Sequence, residues 1–392
     1  MKILVTGSKG FIGKNLVYSL YSIKDGKDRR FPDLKVDEIF EFDRDSTDEE
    51  LDYFCKNADY VFNLAGINRP KNNEEFMEGN CEFGKKLLDN LKKYKNNCPI
   101  MLSSSAYASL EGRYKDSEYG KSKLAGEQVL IEYAKETKSK ISIYRFPNVF
   151  GKWCKPNYNS VIATFCHNIA NDLEIKVNDL SVELELLYID DLVYQMILDL
   201  QNKEDREGFY CRVPVTHKTT LGFIAETIQS FPVLRKQFMV PSFSNKLVEK
   251  LYDTWLSYLP EEKIVYDLDT KEDSRGSFTE ILKTFDNGQF SVNISKPNIT
   301  KGNHWHHSKN EKFVVVSGKA LIQMRKIGLN EEGEKYPVLE FYVSDEKIQV
   351  VDIPTGYTHN IINLSSDKEL ITFMWANELF DSSRPDTFFE EV

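Results

Sequence analysis

The 392-residue sequence has few cysteines, no excess of positive charge and no long apolar segment. Its six cysteines lack paired spacing, so we predict no disulfide framework and expect buried thiols in a reducing cytoplasm. Acidic residues outnumber basic ones by 61 to 51, and no basic cluster dominates, which argues against nucleic-acid binding. No apolar run approaches membrane-spanning length, and Met1–Val5 has the pattern of a strand, not of a signal peptide. We therefore expect a soluble, cytoplasmic protein without membrane insertion.

The length and the apolar content predict two folded domains. A hydrophobic fraction of 41% is sufficient to bury substantial cores, and 392 residues exceed one ordinary core. Within Phe243–Leu259, apolar residues at 247, 248, 251, 255 and 256 have helical spacing, and Pro260 follows. We place the boundary there, which gives domains 1–259 and 260–392.

A glycine-rich turn follows the first predicted strand, Lys2–Val5. Gly7, Gly10 and Gly13 allow a tight strand-to-helix turn and let backbone amides approach a pyrophosphate at the helix N-terminus. Because this triplet directly follows a strand and opens a helix, it predicts a dinucleotide site. The turn residues expected at the cofactor are Gly7, Lys9, Gly10, Phe11, Ile12 and Gly13.

Two further predicted strands end in residues suited to the same cofactor. Glu38–Phe42 is followed by Asp43, which would bind the adenosine ribose, and by Arg44, which would accommodate a 2′-phosphate. These two residues leave the cofactor open, although Arg44, helped by Lys9, should favour NADPH. The third strand, Tyr60–Leu64, leads to a small-residue turn, and the residues expected at the cofactor there are Leu64, Ala65 and Gly66.

Serine, tyrosine and lysine residues follow in an order that indicates carbonyl reduction. The strand Ile100–Leu102 ends in three serines, 103–105. Tyr119 and Lys123 are four residues apart, on one face of a predicted helix. The lysine ammonium is expected to lower the pKa of the phenol so that it exchanges a proton near neutral pH. A serine hydroxyl would hydrogen-bond the carbonyl oxygen.

Residues 1–259 resemble the extended short-chain dehydrogenase/reductase family in these motifs. The resemblance implies a Rossmann-like α/β fold in which Ser105 polarises the carbonyl, Tyr119 donates the proton and Lys123 is its partner. Ser104 is the alternative to Ser105, since three consecutive serines leave the register uncertain by one. The family's substrates are mostly nucleotide-linked sugars, and Arg145–Gly151 looks like the segment that leads into their pocket.

Four of the six histidines fall between residues 304 and 359 in a pattern typical of a metal site. His304 and His306 point to the same side of a strand, and a bend would bring Glu311 and His359 alongside. Three imidazoles and one carboxylate, with one position left for water or substrate, suit a catalytic divalent ion, and zinc above others. His307 points to the opposite face of a regular strand and is not expected to be a ligand.

These metal motifs resemble the two signature motifs of the cupin β-barrel, which implies an all-β barrel for 260–392. Arg275–Glu280 and Ser291–Asn293 look like the nucleotide-sugar 3,5-epimerase branch of the cupins, whose members remove a proton beside a 4-keto group. Those enzymes generally work without metal, so the fuller ligand set departs from them and indicates a metal-stabilised enolate. The base is unassigned, with His307 and Tyr357 as candidates.

Both halves together resemble the bifunctional epimerase–reductases of capsule and O-antigen synthesis on the route to UDP-N-acetyl-L-fucosamine. The resemblance implies that the cupin inverts carbon 3 of a UDP-2-acetamido-2,6-dideoxy-hexos-4-ulose. The reductase would then reduce carbon 4 with NADPH to a UDP-2-acetamido-2,6-dideoxy-L-talose. It also implies one zinc ion per chain and a homodimer formed through the cupin domain.

Two other interpretations stay open. The protein could be a single-activity NAD(P)H reductase of 4-keto sugars whose cupin dimerises or binds sugar around a structural metal. It could also be a sugar-nucleotide-binding scaffold with an inactive reductase half, although the intact Ser105, Tyr119 and Lys123 set argues against this. Uptake of solvent deuterium at carbon 3 would separate the first of these from an epimerase.

Overall fold

The computed structural model describes residues 1–392 and divides into two compact units. The first unit comprises Met1–Ile228 and Lys250–Leu259, and the second comprises Gln229–Glu249 and Pro260–Val392. The predicted boundary between residues 259 and 260 coincides with the last of the three points at which the chain passes between units. The assignment of separate functions to the two domains stays a prediction.

The first unit contains ten strands. In chain order they are β1 (Lys2–Thr6), β2 (Glu38–Phe42), β3 (Tyr60–Asn63), β4 (Ile100–Ser105), β5 (Ile141–Phe146), β6 (Asn148–Phe150), β7 (Glu183–Tyr188), β8 (Asp205–Glu207), β9 (Tyr210–Arg212) and β10 (His217–Thr220). Seven form a sheet in the order β2-β1-β3-β4-β5-β9-β8, parallel except for β8. The other three form a small sheet, β10-β7-β6. The strand order reverses at β1, so a crevice forms outside the carboxyl ends of β1 and β3, where such sheets bind ligands.

The chain contains nine α-helices, and the last two each extend from one unit into the other. They are α1 (Phe11–Lys24), α2 (Asp48–Asn57), α3 (Glu74–Met77), α4 (Phe83–Lys93), α5 (Glu118–Thr137), α6 (Val161–Ala170), α7 (Ile189–Leu200), α8 (Leu221–Lys236) and α9 (Lys246–Leu256). A π-helical segment, Glu78–Glu82, joins α3 to α4. Helix α1 buries Leu16, Val17, Leu20 and Ile23 because their spacing places them on one face. The helix predicted at Phe243–Leu259 is the shorter α9, which the Asn245 side chain caps by accepting from the Leu247 amide (2.9 Å).

Strand β4 extends three residues beyond the predicted end at Leu102. Its six residues are all buried, and Ser103–Ser105 pair with Tyr144–Phe146 of β5. Pairing in the centre of the sheet therefore overrides the weak strand preference of serine. Since side chains alternate along a strand, Ser104 points to the opposite face from its two neighbours.

The second unit contains eleven strands in two antiparallel sheets. They are β11 (Thr270–Asp273), β12 (Gly276–Lys283), β13 (Gln289–Ser295), β14 (Thr300–Trp305), β15 (Glu311–Ser317), β16 (Lys319–Lys326), β17 (Leu339–Ser344), β18 (Val350–Ile353), β19 (Tyr357–Asn363), β20 (Leu370–Ala376) and β21 (Phe388–Phe389). The sheet orders are β11-β12-β13-β20-β15-β18 and β17-β16-β19-β14-β21. Apolar side chains from both sheets, including Phe313, Ile322 and Ile361, form one core. The predicted fold class, an α/β Rossmann-like domain followed by an all-β cupin-type domain, is confirmed.

A bulge in β14 creates the bend that the metal motif required. The pairing of β14 with β19 shifts between Gly302 and His304, and both Gly302 and Asn303 have positive φ angles, 106° and 58°. A Cβ atom at position 302 would lie 2.7 Å from the His359 carbonyl oxygen, so only glycine fits there. The bulge places His304 opposite His359.

The state of the cysteines and the length and hydropathy of the helices can be compared with the sequence analysis. All six cysteines are buried and none forms a disulfide. Burial raises the pKa of the Cys55 thiol to about 12, which makes it unreactive at neutral pH. None of the helices has both the length and the hydropathy that crossing a bilayer requires.

Candidate active sites

One cavity of about 1010 Å³ in the first unit is lined by every cofactor and catalytic residue predicted for that unit. It lies at the carboxyl ends of β1, β2, β3 and β4, where the strand order reverses. The predicted residues that line it are Gly7, Lys9, Gly10, Phe11, Ile12, Gly13, Asp43, Arg44, Leu64, Ala65, Gly66, Ser105, Tyr119 and Lys123. Residues 146–149 of the predicted sugar-nucleotide segment also line it, as do residues 153–155, which follow that segment.

The glycine turn leaves no room for side chains. Gly7 has a φ of 67°, and a Cβ atom there would lie 2.9 Å from the Ala65 amide nitrogen. A Cβ atom at Gly13 would lie 2.0 Å from the Gly7 carbonyl oxygen. The turn therefore packs tightly against neighbouring backbone. Its open side is the N-terminus of α1, which favours binding of a pyrophosphate. The residues present fit a dinucleotide.

Acidic and basic side chains meet at the end of β2. The Asp43 carboxylate accepts hydrogen bonds from the Lys9 and Arg44 amides, each at 2.8 Å, which fixes it beside the glycine turn. The Lys9 ammonium, however, pairs with Asp45, and this hydrogen bond raises the pKa of Lys9. Arg44 is exposed at the rim of the cavity. Of the two cations expected to favour NADPH, Lys9 is thus engaged by a carboxylate that the sequence did not indicate.

The three serines have different partners in the structure. Ser105 interacts with the Tyr119 phenol, whereas the Ser104 hydroxyl donates to the buried carboxylate of Glu127. Lys123 is 8% exposed, and its ammonium donates to the Ser103 carbonyl oxygen at 3.0 Å. The sequence-predicted trio of Ser105, Tyr119 and Lys123 therefore converges on the cavity, and Ser104 is occupied elsewhere.

The pKa of the phenol shifts in the direction opposite to the one expected. Burial raises the pKa of Tyr119 to about 12, even though the hydrogen bond with Ser105 lowers it. Burial also lowers the pKa of Lys123 to about 8, against the opposing effect of Glu127. The Lys123 ammonium lies 5.9 Å from the centroid of the Tyr119 ring, and burial is the largest influence on the pKa of the phenol. In this state, Tyr119 is a protonated acid at neutral pH.

Sequence reasoning did not identify Glu127, although its hydrogen bonds hold the elements of the site together. Its fully buried carboxylate accepts two hydrogen bonds from Arg145, at 2.9 and 2.7 Å, and one from the Tyr210 hydroxyl at 3.1 Å. With Ser104, these partners come from β4, β5 and β9. A glutamate four residues after Lys123 on the same helical face was the only local signal.

Asn80 was also missed, and it joins two parts of the cavity wall. Its side chain exchanges two hydrogen bonds with the backbone of Ile67, at 3.0 and 2.8 Å, and donates to Ser122 at 3.1 Å. Asn80 lies in the π-helical segment, a feature often found at functional sites. It fixes the loop after β3 against helix α5, which carries Tyr119 and Lys123.

The four predicted metal ligands converge in the second unit. One ligand atom from each of His304, His306, Glu311 and His359 lies within 4.8 Å of all the others. The Nε2 atoms of His306 and His359 lie 3.4 and 3.1 Å from the Oε2 atom of Glu311, but none of these three buried atoms is in a well-oriented hydrogen bond. Buried polar atoms are rarely left unpaired in native proteins, so the donor set fits a divalent ion that would occupy their common centre.

Protonation in this cluster favours metal binding. Burial, with the neighbouring His359, lowers the pKa of His304 to about 4, so its imidazole is neutral at pH 7. Burial raises the pKa of Glu311, but the imidazoles of His306 and His359 and the Lys309 ammonium lower it more, and the net pKa falls well below its ordinary range. Metal ions bind neutral imidazoles and ionised carboxylates, which are the forms of His304 and Glu311 at pH 7.

Asp386 holds the histidine loop in place, although no motif indicated it. Its carbonyl oxygen accepts from Nδ1 of His306, which directs the other ring nitrogen inward. Its carboxylate accepts from the amides of His307, Ser308 and Lys309 at 2.8 to 3.0 Å. Those hydrogen bonds lower the pKa of Asp386 despite desolvation.

The two candidate bases lie in different surroundings. The His307 ring packs on Trp305 and Phe388, with centroids 4.4 and 5.1 Å apart, and is not among the converging ligands. This position fits the expectation that His307 is not a ligand, and its role as the base stays a prediction. Tyr357 packs on the core of the second unit, on the same face of β19 as His359.

Comparisons with known proteins agree with the two units. Residues 3–210 match the model of the NAD dependent epimerase/dehydratase family, and residues 271–388 match the polysaccharide biosynthesis C-terminal domain. A protein of Pseudomonas aeruginosa named UDP-2-acetamido-2,6-beta-L-arabino-hexul-4-ose reductase is 38% identical over 388 residues, which cover 99% of this chain and 98% of that protein.

Two solved structures of the capsular polysaccharide assembling protein CapF are also similar. A crystal structure of CapF from Staphylococcus aureus is 46% identical with a TM-score of 0.88, and each chain is covered completely. CapF with the inhibitor 3-isopropenyl-tropolone is 44% identical with a TM-score of 0.82, again over the whole of both chains. The chain therefore belongs to the NAD dependent epimerase/dehydratase family and carries, after its family domain, the C-terminal domain of polysaccharide biosynthesis proteins.

Proposed function

We propose that this protein carries out two consecutive steps on one cytoplasmic sugar nucleotide for capsule or O-antigen synthesis. The cupin unit inverts carbon 3 of UDP-2-acetamido-2,6-dideoxy-hexos-4-ulose, and the reductase unit then reduces carbon 4 with NADPH. The product is UDP-2-acetamido-2,6-dideoxy-L-talose. The observation that carries the proposal is that one chain holds both the Ser105, Tyr119 and Lys123 cavity and a complete convergent metal-ligand set. The name of the Pseudomonas relative, a reductase of a UDP-linked 4-keto sugar, supports it.

In the reductase unit, the nicotinamide cofactor supplies a hydride when it is bound along the glycine turn. The residues of the chain hold the ketone oxygen and provide the proton. A phenol with a pKa of about 12 keeps its proton at neutral pH and is still a stronger acid than a sugar alcohol, so transfer to the developing alkoxide is favourable. Ser105 would hold the same oxygen, and Lys123, fixed on the Ser103 carbonyl, would add positive charge.

Replacing Tyr119 with phenylalanine should lower the rate of NADPH oxidation at least about 100-fold, because only the proton donor is lost. The rate is measured with the UDP-linked 4-keto sugar, and NADPH binding is measured by fluorescence to show that the site is intact. Tyr53→Phe, an exposed tyrosine of α2, is the matched control and should keep full activity. Turnover by Tyr119→Phe within tenfold of the wild type would exclude the assigned role.

The choice of NADPH depends on charges at the end of β2. Arg44 is exposed at the cavity rim and suits a 2′-phosphate, whereas Lys9 is held by Asp45. A phosphate bound there has to compete with Asp45 for the lysine. The cofactor preference is therefore expected to depend on both Arg44 and Asp45.

Arg44→Ala should lower kcat/KM for NADPH about tenfold and leave the value for NADH nearly unchanged, because it removes a charge-assisted contact with the 2′-phosphate. Asp45→Asn should raise the ratio of kcat/KM for NADPH to kcat/KM for NADH, because it releases the Lys9 ammonium from its carboxylate partner. Both ratios come from initial rates with each cofactor. A ratio that neither substitution changes would place the 2′-phosphate elsewhere or show that the enzyme uses NADH.

In the cupin unit, a divalent ion, most suitably zinc, would be held by His304, His306, Glu311 and His359. It would supply the positive charge that stabilises an enolate when carbon 3 loses its proton. The neutral imidazole of His304 and the ionised carboxylate of Glu311 can bind it without releasing protons first. The CapF inhibitor is a tropolone, whose adjacent ketone and hydroxyl oxygens form a chelating pair, which also supports a metal-dependent step.

His359→Ala should lose the metal and stop deuterium exchange at carbon 3, but leave NADPH binding in the first unit unchanged. Metal content is measured by plasma mass spectrometry, and exchange by proton NMR in D₂O without NADPH. His307→Ala should keep the metal, because that side chain packs on Trp305 and Phe388. Exchange that persists in metal-free His359→Ala would make the ion structural and favour a single-activity reductase.

We also propose that the chain forms a homodimer through the outer face of its six-stranded sheet. Val350, Val314, Phe373 and Val292 lie in one cross-strand row on that face. Phe373 is 45% and Val350 is 57% exposed, and Phe290 on the same face is 44% exposed. A contiguous apolar surface on a sheet is the usual composition of a dimer interface.

Phe373→Glu should convert the dimer into a monomer, because a carboxylate buried in an apolar interface lacks a partner. Light scattering after size exclusion should give twice 45.5 kDa for the wild type and 45.5 kDa for the variant. Phe285→Glu, an exposed phenylalanine outside the strands, is the control and should remain dimeric. A dimer that survives Phe373→Glu would place the interface on another surface.

A further inference from the structure

A second polar site lies on the inner face of the six-stranded sheet, beside the metal ligands. A cavity of about 210 Å³ extends from Glu311 across Ala376 and Gln289 to Glu280. Glu311 pairs directly with Ala376, and Ala376 pairs with Gln289. With neighbouring strands about 4.8 Å apart, the backbones of Glu311 and Gln289 are about 10 Å apart. Both residues line the same cavity.

Gln289 presents an unsatisfied acceptor in this cavity. Its side chain is only 5% exposed, and its Oε1 atom has no hydrogen-bond partner. Leaving a buried amide oxygen unpaired destabilises a folded protein, and native structures rarely do so without a reason. A bound ligand with an N–H or O–H group would satisfy this oxygen.

The carboxylate of Glu280 fixes the orientation of the Gln289 amide, so that the oxygen and not the nitrogen lacks a partner. Nε2 of Gln289 donates to Oε1 of Glu280 at 3.3 Å, and the Lys283 ammonium holds the other carboxylate oxygen at 2.6 Å. If the amide were reversed, its oxygen would face a carboxylate oxygen, and both atoms can only accept. Glu280 therefore keeps Oε1 available and the cavity selective for a donor.

We propose that Gln289 accepts a hydrogen bond from the acetamido N–H at carbon 2 of the sugar, with Glu280 as its positioning residue. This inference rests on the proposed epimerisation, since it takes the 4-keto group to lie at the metal side of the cavity. Carbons 4 and 2 are separated by one ring carbon, so a sugar whose 4-keto oxygen faces the metal ligands can direct its acetamido group towards Gln289. Phe278, Met374 and Trp375 line the cavity with apolar surface that suits the ring and its methyl group.

The test compares two sugars with the full-length protein in D₂O without NADPH. One is the UDP-linked 2-acetamido-4-keto-6-deoxy sugar, and the other is its 2-deoxy counterpart, which has no donor at carbon 2. The wild type should exchange the hydrogen at carbon 3 of the acetamido sugar with a kcat/KM about tenfold higher than that for the 2-deoxy sugar. This difference is the effect of one hydrogen bond. Gln289→Met, of similar volume but without the acceptor, should reduce this ratio to within about twofold. Its rate on the 2-deoxy sugar and its metal content should be unchanged.

Two further variants make the outcomes distinct. Gln349→Met, at an exposed position, should keep the wild-type ratio. Glu280→Gln lets the Gln289 amide reverse and should also lower the ratio. An equal loss on both sugars in Gln289→Met, or a ratio that this variant leaves unchanged, would overturn the inference while epimerisation stands. A wild type that exchanges neither sugar would overturn the proposed epimerisation and, with it, this role.

Discussion

The buried carboxylate of Glu127 is the constraint on which the active site of the first unit depends. A fully buried charge has to be balanced inside the protein, and Arg145 balances this one with two hydrogen bonds. Ser104 and Tyr210 donate to the same group. Because these partners belong to β4, β5 and β9, a single ion cluster fixes helix α5 on the sheet. The tyrosine and lysine of the proposed reaction are carried by that helix, so their position relative to the serine strand follows from the cluster.

Patterns between neighbouring residues could be predicted from the sequence, and contacts between distant residues could not. The glycine turn and the four-residue spacing of Tyr119 and Lys123 are local, and the structure brings these residues to one cavity. The different partners of Ser104 and Ser105 could be seen only in the fold, because Glu127, 23 residues after Ser104, binds the Ser104 hydroxyl. The direction of the tyrosine pKa shift needed the fold as well, since burial outweighs the hydrogen bond with Ser105.

The second unit shows the same division between local and distant signals. The spacing of His304 and His306 was sufficient to place both imidazoles on one side, and the bulge at Gly302 completes the bend. The two faces of the six-stranded sheet then have different characters. The inner face carries buried polar atoms without a hydrogen-bond partner, including Oε1 of Gln289, and the outer face carries the apolar row around Phe373. Alternation along each strand separates these two groups of side chains, so a change on one face need not disturb the other.

The hydrogen bonds of Asp386 have a consequence for the order in which the protein is made. The residue lies 80 positions after His306, yet its backbone and side chain hold the histidine loop in shape. Ribosomes release the chain from its N-terminus, and domains generally fold as they emerge. The first unit's parallel sheet, complete by Arg212, can assemble while translation continues. The histidine loop cannot be fixed in place until Asp386 has been synthesised, so binding of the proposed metal ion would follow the assembly of the first unit's sheet.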